Sequence, residues 1–547
     1  MNLLLAFIIA MASTMLLIPL LMRWAGRMQV LDEPNARKVH AAAVPRVGGI
    51  AIVLGAMLPL CLWVDLDRSV VAYLAAAALV FVFGIYDDRR ELSAAAKFLG
   101  QLLAVFVVVY GGGLKIASYT LTDRIPLPEF VGVPLTVFFL LGATNAINLS
   151  DGLDGLAGGT SLLGLAAIGL LATSLGNADV ATIAIVASGS ILGFLRFNTY
   201  PARVFMGDAG SQFLGFTLAV LTLMLTQKAD VVLSSALPVL LLGLPIVDTV
   251  MVILQRLREG RSPFSADKKH IHHKLLALGF DHHEAVAIIY GVQALFFLAA
   301  WFTRYEPDPV ILTAFAALAG GVLAALFCAG RFDWRWRKEP PIAPASDSAL
   351  ARTIAWLVAP NRLPLWSLRV AVLCVPAYLL AVAFWTQAVS YDLAWLAAGV
   401  GAALVVGAVA ARHSARYEWL VRGALYVAAL VAVYLDHQDP TDSPLLRTAK
   451  WLILPFLVAA VAARMRLSPD RRFKLTALDV LLIFIALVVP NLPGVTGAPR
   501  DVGFSLGKLV ALVYGIELCA DQSRVAQTLL AVGALVFCAI VLIRAVI

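Results

Sequence analysis

Charge is scarce in this chain. Asp, Glu, Lys and Arg make up 14% of its 547 residues, against roughly 25% in soluble domains. Hydrophobic residues supply 61% and the mean hydropathy is +0.89, so a water-exposed globular protein is excluded and the bilayer is the solvent. Cysteine is also sparse. Cys61, Cys328, Cys374, Cys519 and Cys538 are odd in number and lie mostly inside or beside apolar runs, so neither a disulfide framework nor a paired zinc spacing is expected. The first 22 residues carry no charged side chain ahead of their apolar run and no small-residue cleavage pattern after it. They read as a retained span rather than a signal peptide. The net charge of +8 does not imply nucleic acid, because Lys and Arg concentrate in loops, where they orient spans and meet anionic headgroups.

What is present is a succession of apolar stretches, each long enough to cross about 30 Å of hydrocarbon as a helix. The expected fold class is all-α, a polytopic transmembrane helical bundle, with about eleven spans in the first part and about seven further on. The first set falls near 2–22, 48–64, 69–85, 96–112, 129–147, 157–175, 179–195, 211–227, 233–254, 285–303 and 308–329. Basic residues in the first loop (Arg23, Arg27, Arg37, Lys38, Arg46) put that loop in the cytoplasm and the N-terminus in the periplasm. Nearly every polar cluster of the first half then falls on the cytoplasmic face, where a water-soluble substrate would be met. Arg331 to Ala345, basic and Trp-rich and then Pro-rich, suits an interfacial linker. The expected organisation is a domain over 1–330, a linker over 331–365 and a further membrane domain over 366–547, in which no comparable polar cluster stands out.

Four clusters carry chemistry. In GIYDDRRELS, Asp87 and Asp88 repel one another unless a cation or a shared proton intervenes, which suits Mg²⁺ binding or base work; a solvated helix end is the bland reading. In NAINLSDGLDGLAGG, Asn145, Asn148, Asp151 and Asp154 recur every third residue and would share one face if that segment is helical, and its glycines permit close backbone approach to a phosphate. In VFMGDAGSQ, Asp208 sits in a Gly-rich turn opening an apolar helix, a natural seat for an anion or a metal phosphate. In RSPFSADKKHIHHKL, His270, His272 and His273 stand among Lys and Arg, a set that fits a pyrophosphate better than zinc; a basic loop on the membrane surface is the alternative. Lys38 and Arg46 either join the same anionic pocket or only set topology. A hard-cation site beside an anion site is the equipment of phosphoryl transfer.

The strings PRVGG (Pro45 to Gly49), Asp87-Asp88, NAINLSDGLDGLAGG, FMGDAGS and HIHH resemble those of the polyprenyl-phosphate N-acetylhexosamine-1-phosphate transferases, most closely the bacterial undecaprenyl-phosphate N-acetylglucosamine-1-phosphate transferase type. The resemblance covers residues 1–330 and leaves the rest unexplained. It implies a multi-pass enzyme of the bacterial inner membrane, with Mg²⁺ or Mn²⁺ as cofactor and a UDP-N-acetylhexosamine and undecaprenyl phosphate as partners beside membrane lipid. It is compatible with a homodimer and a role early in a cell-surface glycan pathway such as O-antigen synthesis. By position it implies catalytic roles for Asp87, Asp88, Asp151 and Asp154, substrate contacts for Lys38, Arg46, Asn145, Asn148 and the three histidines, and metal binding at Asp208 and Asn148. The lipid phosphate would attack the β-phosphorus of the UDP-sugar directly, or through an aspartyl-phosphate. HIHH in place of three consecutive histidines argues against a phospho-N-acetylmuramoyl-pentapeptide transferase. Polar groups in loops rather than at mid-membrane argue against a transporter.

Overall fold

The computed structural model describes residues 3–32, 43–90, 92–227, 232–262, 269–332, 362–386, 389–413, 418–438, 452–461, 476–493, 495, 498–520 and 524–546. The chain forms two compact units, one of residues 1–339 with 476–481, the other of 340–475 with 482–547. Among the described residues thirteen helices are long and apolar enough to cross a membrane, nine in the first unit and four in the second. The chain is an all-α, multi-pass membrane protein.

The first unit runs α1 (Leu3–Met28), α2 (Gly48–Trp63), α3 (Arg68–Arg90), α4 (Ala94–Phe106, continued by a π turn to Gly111), α5 (Glu129–Leu149), α6 (Leu156–Ser174), α7 (Ala178–Asn198) and α8 (Gly207–Thr226). It continues through α9 (Leu237–Leu241), α10 (Gly243–Arg258), α11 (Ile271–Ala277), α12 (His282–Thr303) and α13 (Asp308–Arg331). Two small antiparallel pairs, Leu31–Asp32 with Val44–Pro45 and Ser118–Thr120 with Arg124–Pro126, trim the loops.

Helix α8 is the axis of this unit, buried over its whole hydrophobic window and packed by α2, α3, α5 and α6. Apolar side chains gain nothing by leaving lipid for other apolar side chains, so close backbone approach decides such packing. A Cβ on Gly49 would lie 2.2 Å from Gly210 N, one on Gly84 2.4 Å from Ala209 Cα, and one on Gly215 2.8 Å from Thr144 O. Deeper along the same helix, Tyr73 and Thr217 share a buried hydrogen bond of 3.0 Å between α3 and α8.

The single span expected over 233–254 is two helices. The chain breaks at Leu242, between α9 and α10. A break in hydrocarbon frees backbone groups that must be satisfied by protein. Gln293 of α12 does this, donating to Leu241 O at 3.0 Å and accepting from Leu244 N at 3.1 Å.

The second unit holds α14 (Arg362–Trp385), α15 (Tyr391–His413), α16 (Glu418–Gln438), α17 (Leu452–Val461), α19 (Ala498–Ala520) and α20 (Arg524–Val546), of which α14, α15, α19 and α20 pack on α16, and the residues of α18 (Ala477–Val488) are divided between the two units. Charged side chains of this half pair across helices. Asp436 accepts hydrogen bonds from Tyr378 at 2.8 Å and Lys508 at 2.7 Å, and Arg422 lies 3.6 Å from Glu517, which Tyr426 also contacts. The partners come from different helices, so their pairing could not be read along the chain.

The tight crossing of α2 and α8 yields a stability test. Gly49→Ala should cost about 2 kcal/mol or more through overpacking. Gly320→Ala, on α13 where no atom lies within 4 Å of the added Cβ, should leave stability unchanged or raise it by up to about 1 kcal/mol. Thermal unfolding of the two purified variants in detergent measures the contrast.

Candidate active site

Four helix termini meet at one end of the first unit: the last turns of α3 and α5 and the first turns of α4 and α8. Helix α3 continues through the double aspartate to Arg90, so Asp87 and Asp88 occupy helix rather than loop. Successive residues of a helix point about 100° apart, and the two carboxylates separate. Asp88 accepts Asp208 N at 2.8 Å and Ala209 N at 3.0 Å. Asp87 accepts Leu92 N at 2.7 Å and lies 2.5 Å from Lys97 Nζ. Their mutual repulsion is relieved by separate partners.

This arrangement corrects the reading of the α8 N-terminus as an anion seat. Its leading amides are already taken by Asp88, a protein carboxylate in the place a phosphate would occupy. Gly207, at φ +72°, lets the chain turn tightly there, and a Cβ would fall 2.6 Å from Asp88 Oδ2. Backbone pairing of Phe205 with Pro45 and Gly48, and of Met206 with Gly49, ties the PRVGG string to the same turn.

Lys97 is the residue that sequence reasoning missed. Ser93 caps α4 by accepting Ala96 N at 3.3 Å, which sets Lys97 on the first turn, its Nζ 2.5 Å from Asp87 Oδ2 and 3.3 Å from Asp208 Oδ2. A lone lysine inside an apolar span was the available signal. Asn148 donates to Asp208 Oδ1 at 2.6 Å and to Ser211 Oγ at 2.8 Å. Asn145 lies one turn deeper, donating to Gln101 Oε1 at 2.7 Å.

Because α5 ends at Leu149, Asp151 and Asp154 leave the helix, and the four Asn and Asp residues do not share one helical face. They occupy the loop 150–155. Asn198 accepts Gly155 N and donates to Val204 O, both at 2.9 Å, while Tyr290 donates to Gly155 O at 2.6 Å. Buried Asp154 accepts Ala202 N at 2.9 Å and so tethers this loop to the next. Asp151 meets solvent through the open cleft although protein surrounds it. That crowding desolvates it, the charges of Asp208, Asp88 and Asp154 add to the effect, and its pKa rises to about 7, with Arg46 partly offsetting the shift.

The histidine string forms the far wall. His270 Nδ1 lies 2.8 Å from Asp248 Oδ2, and Ile271 N donates to Asp248 Oδ1 at 2.7 Å. The expectation that cations alone surround these histidines is thus corrected. Asp248, a lone carboxylate on α10, was within reach of the same signal as Lys97. His272 packs on Gly152, where a Cβ would fall 2.5 Å from its ring, and its ring lies 4.2 Å from that of His273. Burial first, and then His273, lower the pKa of His272 to about 3, so it is a neutral ring rather than a cation. Lys269 and Arg261 turn toward Glu259. Lys38 lies outside the described residues.

The donors facing Lys97 are oxygen atoms, which suit a hard divalent cation, and the lysine ammonium stands where such a cation would balance Asp87 and Asp208. Among the described residues no three His, Cys, Asp or Glu side chains converge on one point. The fit is therefore to an ion held by one or two carboxylates and completed by substrate phosphate and water.

The family described as Glycosyl transferase family 4 matches residues 70–226, from α3 to the end of α8. Over 300 residues the chain is 39% identical to the probable undecaprenyl-phosphate N-acetylglucosaminyl 1-phosphate transferase of Bacillus subtilis, covering 54% of this chain and 83% of that protein. It is 32% identical to the undecaprenyl-phosphate alpha-N-acetylglucosaminyl 1-phosphate transferase of Escherichia coli K12, covering 53% and 82%. It is 35% identical to the decaprenyl-phosphate N-acetylglucosaminephosphotransferase of Mycobacterium tuberculosis H37Rv, covering 49% and 74%. With Asp87, Asp88, Asn148 and Asp208 assembled at one end of this bundle, and with relatives of this identity and coverage, the chain belongs to the polyprenyl-phosphate N-acetylhexosamine-1-phosphate transferase family.

Proposed function

We propose that the first unit transfers N-acetylglucosamine 1-phosphate from UDP-N-acetylglucosamine to undecaprenyl phosphate, with Mg²⁺ or Mn²⁺, at the cytoplasmic face of the bacterial inner membrane, as the opening membrane step of a cell-surface glycan pathway. The observation that carries this reading is the convergence of the Asp87 and Asp208 carboxylates on the Lys97 ammonium. An apolar groove of about 410 Å³ between α11, α12 and α13, which Ile271 helps to line, supports a lipid acceptor beside the histidine string.

Asp208 and Asp87, with the Asn148 side chain, would hold the divalent cation, which when bound neutralises the diphosphate of the donor. Asn148 fixes the carboxylate of Asp208, and Asp88 fixes its backbone. Lys97 lies within reach of the same phosphates and offsets charge on the departing UMP. Neutral His272, backed by its neighbours, offers a hydrogen bond to a phosphoryl oxygen. Asp151, exposed in the cleft, accepts the proton of the lipid phosphate when that arrives protonated. The lipid phosphate oxygen then bonds to the β-phosphorus, the bond from the β-phosphorus to the bridging oxygen breaks, and that oxygen with its electron pair leaves on the α-phosphate of UMP.

Purified protein given Mg²⁺, undecaprenyl phosphate and UDP-N-acetylglucosamine should release UMP. Asp208→Asn and Lys97→Met should each lower that rate about 10²-fold or more while the protein still unfolds cooperatively on heating. Absence of UMP release from every UDP-amino sugar in a donor panel would overturn the assignment.

The raised pKa of Asp151 fixes the sign of a pH effect. Its carboxyl is protonated below about pH 7 and becomes a competent acceptor above it. Turnover should therefore climb between about pH 6 and 8, and Asp151→Asn should lower the rate and flatten that limb. An unchanged pH profile in the variant would remove Asp151 from this role.

A further inference from the structure

One turn below the reacting side chains lies a layer of three amides. Gln101 accepts from Asn145 Nδ2 at 2.7 Å, approaches Asn145 Oδ1 at 3.4 Å, and donates to Gln212 Oε1 at 3.1 Å. Gln101 and Gln212 are buried. Each member stands one helical turn, about 5.4 Å, from a residue of the site on its own helix: Gln101 from Lys97 on α4, Asn145 from Asn148 on α5, Gln212 from Asp208 on α8. The deeper layer thus repeats the helix membership of the layer above it.

We infer that Gln101, Asn145 and Gln212 are positioning residues, which lock the rotation of α4, α5 and α8 about their axes and so set the spacing of Lys97, Asn148 and Asp208. Asn145 is thereby reassigned from substrate contact to this layer. The physical reason lies in the charges above. Lys97 is attracted to Asp87 as well as Asp208, and when a divalent cation takes its place those attractions change. A neutral network holds the three helices in register through that exchange because its hydrogen bonds do not depend on the charge state of the site. Amides suit the task because each both donates and accepts. A buried amide stripped of its partner is left desolvated and unpaired, so the three act as a unit. Simple adhesion between the helices would not require this, since apolar groups of similar shape replace a hydrogen-bonded pair at little cost.

The inference rests on the transferase reading, so the wild type must first release UMP. The test then compares Gln101→Leu, Gln212→Leu and their double variant in purified protein, reading kcat, KM for both substrates and the melting temperature. Thr217→Val is the control, because it removes an interhelical hydrogen bond of α8 that lies deeper than this layer. Each glutamine variant should lower kcat about tenfold with KM within about threefold, and the double variant should be no worse than the poorer single one, as for residues acting as one unit. The control should lower the melting temperature and keep kcat. If kcat per folded enzyme survives in the glutamine variants, or if their losses multiply, the layer is structural only and the inference fails. Should Gln101→Leu not fold, Gln101→Met and Gln212→Leu carry the same comparison. A wild type without UMP release instead removes the transferase reading itself.

Discussion

The clamp of the Asp88 carboxylate on the second and third amides of α8, those of Asp208 and Ala209, is the constraint on which the rest of the site depends. It fixes where α8 begins, and with it the Gly207 turn, the placement of Asp208 and the seating of the PRVGG strand against Phe205 and Met206. A helix N-terminus carries about half a positive charge, so a buried carboxylate is stabilised there without a full cation. Asp88 serves the backbone and leaves Asp87 to face Lys97. The two members of the double aspartate therefore have different physical tasks despite their adjacency.

With α8 fixed, the electrostatics follow. Asp87, Asp208 and Asp151 gather at the cleft around Lys97 and Arg46, and His272 adds no charge because burial keeps it neutral. Among the described residues at the cleft, carboxylates outnumber cationic side chains. That balance is what the proposed nucleoside diphosphate donor, carried with a divalent ion rather than as a bare anion, would require. The pKa of Asp151 records the same imbalance from the side of the proton.

Much of this was legible in the sequence, and the exceptions have physical causes. Span length and hydropathy located the helices because hydrocarbon thickness imposes length. The broken span at Leu242 escaped because its compensation comes from Gln293, forty-nine positions beyond Leu244 and invisible to a window on one segment. Asp87, Asp88, Asn148 and Asp208 were found because clustered polarity at membrane ends is costly without use. Lys97 and Asp248 stand alone in apolar surroundings, and a cluster criterion passes over a single charge whose partners lie on other helices. Asn145 and Asp154 matched the period of three, yet one points into the amide layer and the other into a loop tether. Periodicity gives a face; it does not give the end of the helix.

A division of labour among polar groups runs through the first unit. Buried carboxylates such as Asp88, Asp154 and Asp248 hold backbone amides, and neutral amides share the work of holding backbone and helices in place. Gln293 satisfies both sides of the break before α10, Asn198 joins the two loops that flank Asp154, Asn148 holds Asp208, and Gln101 links α4, α5 and α8. In a low-dielectric interior an ion used as a structural tie would change its grip with every change of charge nearby. An amide makes the same directional contacts without that sensitivity. A site whose net charge must swing during each phosphoryl transfer keeps its geometry more reliably on amide supports than on salt bridges. The Asp88 clamp holds backbone differently, with a carboxylate whose partners are the fixed dipoles of two backbone amides.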